Sequence, residues 1–345
     1  MLVDISEFDY PLPASAIAQA PAHERDGSRL LLIDRERRAF ADHRFTELSD
    51  LLRAGDCVVV NDSRVIPARV LARDAAGRGV ELLFVEPVTD ARWRALVRPG
   101  RRCRPGVEVS AADGAARFKI VDVEPDGTRV VERLDGSVAE AIERHGVPPL
   151  PPYIGHHAKP GSEDRERYQT VYARPPGSIA APTAGLHFTT ALLERLRARG
   201  VKVHALTLHV GPATFRPIKT ARVEHHVLPP ERMEISAAVA QAVNAARREG
   251  RRVVAVGTTT TRALESAAGD DGTVRSMTGR ADVFIVPGHR FRVVDALLTN
   301  FHLPRSSLLV LVSAFAGREL ILDAYHHALA AGYRFYTYGD ATLIV

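Results

Sequence analysis

Cysteine is almost absent from this sequence: Cys57 and Cys103 are the only two in 345 residues. Two thiols so far apart give no disulfide framework, thiolate zinc site or iron–sulfur cluster. Long apolar runs are missing as well. The longest, around 308–316 and broken by Ser313, falls short of the ~18–20 residues that span a bilayer. The start, Met1-Leu2-Val3-Asp4-Ile5-Ser6-Glu7, is acidic and lacks the basic-then-apolar order of an export signal. These absences predict a cytoplasmic protein with no membrane association and no metal. Lysine is scarce too: Lys119, Lys159, Lys202 and Lys219 leave 42 of the 46 basic side chains to arginine, with a net charge of +5. Arginine's flat fork matches phosphate and stacks on bases. The same bias follows from a genome-wide preference for Ala, Arg, Gly and Val, and that plainer reading carries more weight.

What is present is ordinary for a folded chain. Hydrophobic residues make up 46% and charged residues 25%, enough for a sizeable core, and the length predicts two domains. Short β-rich runs recur at 65–71, 79–85, 93–97, 107–109, 116–123 and 128–134. Arg98-Pro99-Gly100, Arg104-Pro105-Gly106, Asp113-Gly114 and Asp126-Gly127 stand between them as turns. A helix is expected at 138–144, then a stiff Pro148-Pro149-Leu150-Pro151-Pro152 run. Elsewhere helices alternate with strands: Thr190 caps 191–199 before a strand at 201–208, and Ser236 caps a helix to 249 before a strand at 252–256. A helix at 318–331 precedes an expected strand at 333–338, while 46–53 reads as a helix and 57–60 as an apolar strand. The fold class is therefore α/β. A layered main domain spans 1–64 and 151–345, and a small β-barrel is inserted over 65–150.

In open α/β sheets, ligands bind beyond the carboxyl ends of the strands. That rule selects Asn61-Asp62-Ser63-Arg64, His209-Val210-Gly211, Gly257 with Thr258, Thr259, Thr260, Thr261 and Arg262, Thr299-Asn300-Phe301-His302, and Gly339-Asp340. Each has a chemical and a plainer reading. The threonine run cradles a phosphate or caps a helix. Asp62 and Asp340 serve as base or counter-ion, or form turns. His187, His209 and His302 titrate near ~6.5 and suit proton transfer, or are structural. The turn Pro182-Thr183-Ala184-Gly185 before His187 puts small residues where backbone must come close to something. Phe335, Tyr336 and Tyr338 beside Asp340 offer a stacking face or core, and alternation would put Phe335 on the face opposite Tyr336 and Tyr338.

These loops lie within longer strings: Phe8-Asp9-Tyr10, Ser28-Arg29-Leu30-Leu31, Asn61-Asp62-Ser63-Arg64-Val65-Ile66-Pro67-Ala68-Arg69, Pro151-Pro152-Tyr153-Ile154 and Arg167-Tyr168-Gln169-Thr170-Val171-Tyr172. They continue with Ala181-Pro182-Thr183-Ala184-Gly185-Leu186-His187-Phe188, Thr207-Leu208-His209-Val210-Gly211, Ala255-Val256-Gly257-Thr258-Thr259, Thr299-Asn300-Phe301-His302-Leu303-Pro304 and Tyr338-Gly339-Asp340. In this order they resemble the S-adenosylmethionine:tRNA ribosyltransferase-isomerase family of queuosine biosynthesis. The resemblance implies transfer and isomerisation of the ribosyl part of S-adenosylmethionine onto the aminomethyl group of 7-aminomethyl-7-deazaguanine at the tRNA wobble position. The products are epoxyqueuosine, adenine and methionine. S-adenosylmethionine is then a consumed co-substrate and no further cofactor is expected. The partner is tRNA carrying 7-aminomethyl-7-deazaguanine in the anticodon, and the protein a monomer or weak dimer.

Motif position nominates His187, His209, Asp62 and Asp340 as catalytic. It nominates Asn61, Arg64, Thr183, Thr258, Thr259, Arg262, Asn300, His302 and Tyr338 as substrate-binding, with Arg64 and Arg262 the foremost phosphate ligands. The chain departs from the family pattern at His226-Val227-Leu228-Pro229-Pro230-Glu231, at Ala213-Thr214-Phe215 and at Thr342. Two other classes compete: a methyltransferase, which would carry a glycine-rich turn where Asn61-Asp62-Ser63 stands, and a tRNA-binding module without catalysis.

Overall fold

The computed structural model describes residues 3–157, 160, 161, 163–212 and 217–345. Lys159 and the Ala213-Thr214-Phe215 departure lie outside these. The chain divides into two compact units, one of residues 1–63, 170–175 and 181–345, the other of 64–169 and 176–180.

The first unit is built on a nine-stranded sheet. Its spatial order is Met277–Ala281, Glu231–Ile235, Lys202–Leu208, Cys57–Asn61, Val253–Val256, Ala296–Asn300, Ala341–Ile344, Arg29–Asp34 and Ala39–Arg44. Cys57–Asn61 pairs in parallel with the strands on both sides, and Val253–Val256 runs parallel to Ala296–Asn300. Every residue of Cys57–Asn61 is buried, as a central strand covered on both faces requires. Leu192, Leu193 and Leu196 of the helix Thr190–Ala198 pack onto this sheet with Val58, Val60, Val254, Val256 and Leu298. The helix is capped one residue earlier than expected: Leu192 N donates to Thr189 Oγ1 at 3.1 Å. Ser236 caps Ala237–Arg248 as the sequence predicts. The helix expected at 46–53 is a 3-10 turn, Phe45–Glu47, followed by the single turn Leu48–Leu51.

The strand expected at 333–338 does not form. Arg334 N donates to Asp340 Oδ2 at 2.7 Å and Asp340 N to the Arg334 carbonyl, closing a compact turn with Tyr336 at φ 75°. Phe335, Tyr336 and Tyr338 are all buried, so strand alternation never separates them. Gly339 is obligatory here, because a Cβ would come within 2.4 Å of the Phe335 backbone. The strand begins after the turn, at Ala341. No helix among the described residues is long and apolar enough to cross a membrane.

The second unit is a closed antiparallel barrel of six strands. Arg69–Asp74, Gly79–Pro87, Arg92–Arg98, Arg129–Arg133, Arg117–Val123 and Glu108–Ala111 follow one another round it, and the last pairs back with the first. Alternation fills the interior with Val70, Leu82, Phe84, Ala95, Phe118, Ile120 and Val131, and Val138, Ala141 and Ile142 of the helix Val138–His145 plug it. The unit extends past the expected boundary at 150, to 169. The reason is local: buried Arg69 donates to the Leu150 carbonyl at 2.8 Å and to the His157 carbonyl, holding the proline-rich run against the barrel. Gln169 then latches Val65, accepting from its N at 3.0 Å and donating to its carbonyl at 2.7 Å.

Candidate active site

The strand directions bring the polar loops of the first unit to one edge of its sheet. Asn61, Leu208, Val256 and Asn300 end parallel strands there. Ala341 begins an antiparallel one opposite Asn300, and Leu30 stands opposite Ala341 in turn. Ser28, Asp62, His209, Gly257 and Asp340, each next to a strand end, therefore share that edge.

Asn61 braces it. Its Nδ2 donates to the Leu208 carbonyl at 2.8 Å and its Oδ1 accepts from Leu208 N at 3.0 Å and Ser63 N at 3.1 Å, while Thr259 Oγ1 lies 3.5 Å from Nδ2. Asp62 follows, half-buried, accepting from Thr207 Oγ1 at 2.7 Å. Burial pushes its carboxyl above the usual range, against that hydrogen bond and the positive charge of Arg174.

His187, in the 3-10 turn Thr183–His187, is held on both ring nitrogens. Asn300 Nδ2 donates to the Tyr336 carbonyl at 3.0 Å, and that carbonyl can only accept, so the amide orientation is set. The same Nδ2 stands 3.2 Å from His187 Nε2, which must accept. Nδ1 then carries the proton and donates to Ser28 Oγ at 2.8 Å. With the ring 5% exposed, burial and the Arg334 charge push its pKa down to about 4. It is a neutral, fully engaged imidazole. Thr183, at the start of the turn, is only half-buried.

His209 differs. Its backbone N donates to the Arg232 carbonyl at 2.9 Å, but its Nδ1 is buried and has no partner among the described residues. Burial and the Arg232 charge lower its pKa to about 4. Asn300 Oδ1 and the Tyr172 hydroxyl are likewise buried and unpartnered among the described residues. An unmet buried polar atom costs ~1–3 kcal/mol. A polar ligand reaching any of these three would gain a hydrogen bond, as it would at other buried atoms of the unit such as Ser307 and Ser313 Oγ.

Other nominated residues are placed differently from expectation. Arg262 is not in a loop: it sits in the helix Thr258–Ser266, 2% exposed, paired with the buried carboxylate of Glu231 and donating to the Val283 and Ala281 carbonyls. Its guanidinium is spent in the core and leaves no fork for phosphate. His302 is 3% exposed, its Nε2 3.1 Å from Thr299 Oγ1, its N donating to the Tyr325 hydroxyl and its carbonyl accepting from Tyr10. Burial lowers its pKa to about 3, and its backbone N and carbonyl are fixed by Tyr325 and Tyr10. Asp340 spends Oδ1 on Arg29 N at 2.9 Å and Oδ2 on Arg334 N, so it ties a strand to a turn. Tyr338 is buried beside it.

The threonine run caps nothing with its side chains. Gly257 holds the cap position at φ 91°, and the Thr260 and Thr261 hydroxyls turn back to the Val256 and Gly257 carbonyls. Thr258 and Thr259 are buried at the first turn of this helix. Arg64 lies in the second unit, exposed, on the short strand Arg64–Val65.

Sequence reasoning missed Ser28, Tyr172 and Glu231. Ser28 and Tyr172 lie inside the family-like motifs, but neither looks reactive without its neighbours. Glu231 ends the string in which the chain departs from the family. Its Oε1 accepts from Gly211 N at 2.7 Å while Oε2 holds Arg262. Among the described residues no three His, Cys, Asp or Glu side chains are grouped to hold a metal ion.

Residues 5–344 match the family described as queuosine biosynthesis protein. The S-adenosylmethionine:tRNA ribosyltransferase-isomerase of Pelobacter propionicus is 49% identical over 342 residues, covering 99% of each chain, and that of Symbiobacterium thermophilum is 48% identical with the same coverage. The crystal structure of the S-adenosylmethionine tRNA ribosyltransferase from Thermotoga maritima is similar over 99% of this chain and 100% of its own, at 34% identity and a TM-score of 0.56. A match of this length and identity, running through every loop of the strand-end site, places the chain in the queuosine biosynthesis family of S-adenosylmethionine:tRNA ribosyltransferase-isomerases.

Proposed function

We propose that the chain transfers and isomerises the ribosyl part of S-adenosylmethionine onto the aminomethyl group of 7-aminomethyl-7-deazaguanine at the tRNA wobble position, releasing adenine and methionine and leaving epoxyqueuosine. The observation that carries this reading is the full-length likeness to ribosyltransferase-isomerases, which leaves none of the site outside the compared length. S-adenosylmethionine is consumed as co-substrate, with no metal or further cofactor. A cytoplasmic monomer or weak dimer acting on tRNA completes the reading.

The sulfonium acidifies the adjacent C5′–H. A base takes that proton, the electron pair left behind opens the C4′–O4′ bond, the freed O4′ forms the C1′ carbonyl as adenine leaves with a proton, the tRNA amine attacks the opened ribosyl fragment, and epoxide closure releases methionine. The base must be unprotonated near neutral pH. Of the three histidines His209 fits best: its depressed pKa leaves the ring neutral, at some cost in basicity, and its Nδ1 has no partner among the described residues. His187 and His302 are committed to the fold. Asp62 is the carboxylate suited to face the sulfonium, since Asp340 has both oxygens on backbone N–H groups. Asn61, Asn300, Thr183, Thr258, Thr259 and Tyr338 complete the set proposed to bind substrate.

Incubating the purified chain with S-adenosylmethionine and tRNA carrying the aminomethyl base tests this. Adenine, methionine and modified tRNA are expected in equal amounts. A methylated RNA would make it a methyltransferase, and binding without any product would make it a tRNA-binding module.

A further inference from the structure

Most arginines of the barrel are spoken for. Arg92 pairs with Glu132, Arg94 with Glu86 and Glu124, and Arg117 with Asp135. The end of the strand Arg92–Arg98 and the loop after it break this habit. Arg98, Arg101 and Arg104 are exposed, and their side chains make no hydrogen bond or ion pair among the described residues. Acidic groups close to them are already engaged: Asp74 takes Arg78 at 2.9 Å and Arg102 at 3.8 Å, and Glu81, opposite Arg98 in the ladder, takes Arg69 at 3.7 Å.

The loop itself is firmly built. Cys103 is fully buried and its N donates to the Gly100 carbonyl. Arg102 donates to the Gly79 carbonyl at 2.9 Å and Arg129 to the Gly100 carbonyl at 3.1 Å. Gly106 N closes the far side on the Ile120 carbonyl at 2.8 Å. Three guanidinium groups, one at a strand end and two in the rigid turn after it, lose little backbone entropy on binding, and their fork geometry favours phosphate oxygens.

We propose that Arg98, Arg101 and Arg104 form a docking surface for the backbone phosphates of RNA. This rests on the reading of the chain as a tRNA-modifying enzyme, which supplies the anionic partner. The contact is to phosphates, so it positions the RNA and is indifferent to sequence.

The test is a titration of the full chain with full-length tRNA between about 50 and 200 mM salt. Replacing all three by Ala (R98A, R101A, R104A together) should weaken binding about tenfold and lower the slope of log affinity against log salt by about 2. The triple Lys replacement should keep most of the slope. A control removing paired arginines (R92A with R117A) should leave it unchanged. Wild-type slope and affinity in the triple Ala protein overturn the proposal. Should the triple variant melt early, R101E gives the same reading with one substitution. Adenine release by the wild-type chain is scored separately. Its absence would remove the enzymatic reading while the slopes still decide the loop.

Discussion

Glu231 holds Arg262 in an ion pair sealed from water, and the same carboxylate fixes the loop that carries His209. One oxygen meets the guanidinium, the other accepts from Gly211 N at 2.7 Å. The Arg232 carbonyl, next along the chain, accepts from His209 N at 2.9 Å. A charge buried this deeply is tolerated because the partner lies against it. Removing one member strands the other.

Glu231→Gln should therefore cost about 3–5 kcal/mol, seen as a large drop in thermal midpoint. Adding Arg262→Met should recover most of it, since no stranded charge remains. Calorimetry on the single and double variants decides it, and a Glu231→Gln protein as stable as wild type would refute the pairing.

His209→Ala should lower adenine release about 10²–10⁴-fold with the fold intact. A base with a pKa near 4 is unprotonated throughout the neutral range, so the rate should be flat from about pH 6 to 8 and fall only as pH drops towards about 4. An inflection near 6.5 would point to an unperturbed histidine instead.

The two buried histidines, His187 and His302, also predict acid sensitivity. His187 has a folded pKa of about 4 and His302 of about 3, against ~6.5 when unfolded, while half-buried His209, also about 4, adds a smaller, solvent-screened share. The unfolded chain binds the extra protons between those limits. Stability is thus complete above about pH 6.5 and is lost as pH falls towards 4, by up to ~1.4 kcal/mol per pH unit for each of the two buried rings. Asp62, raised by burial, works in the opposite direction and softens the slope. Thermal midpoints recorded across that range should decline; a constant midpoint down to pH 4.5 or so would count against buried neutral rings.

Gly185 admits no side chain. A Cβ there would sit 2.2 Å from the Tyr172 hydroxyl and 2.7 Å from Thr170 Cγ2. Gly185→Ala should cost about 1–3 kcal/mol, and Tyr172→Phe in the same chain should return part of that by clearing the hydroxyl. Strictly additive effects in urea unfolding would show that the two residues do not touch.

Regular elements were readable because they follow from local rules. Alternation and turn residues set out the barrel, and Ser236 and the apolar 57–60 run announced their helix and strand. The strand expected at 333–338 failed because β-rich residues there are captured by Asp340, whose carboxylate binds Arg334 N and Arg29 N. That second bond reaches 311 positions along the chain, beyond any local pattern.

The site divides in the same way. Side-chain identity and the strand-end rule were enough to nominate Asn61, Asp62, His187, His209, Asn300 and Asp340, and the order of the motifs was enough to name the family. Identity alone could not separate His209 from His187 and His302, since all three are loop histidines with the same intrinsic pKa. Tertiary packing separates them. Ser28 and Asn300 occupy both nitrogens of one ring, burial and Thr299 hold another, and the third keeps a nitrogen without a partner among the described residues. Arg262 makes the same point for charge: an arginine is a phosphate ligand or a core ion pair according to whether Glu231 reaches it. Only the folded chain sets that distance, because burial decides whether water or a carboxylate answers the charge.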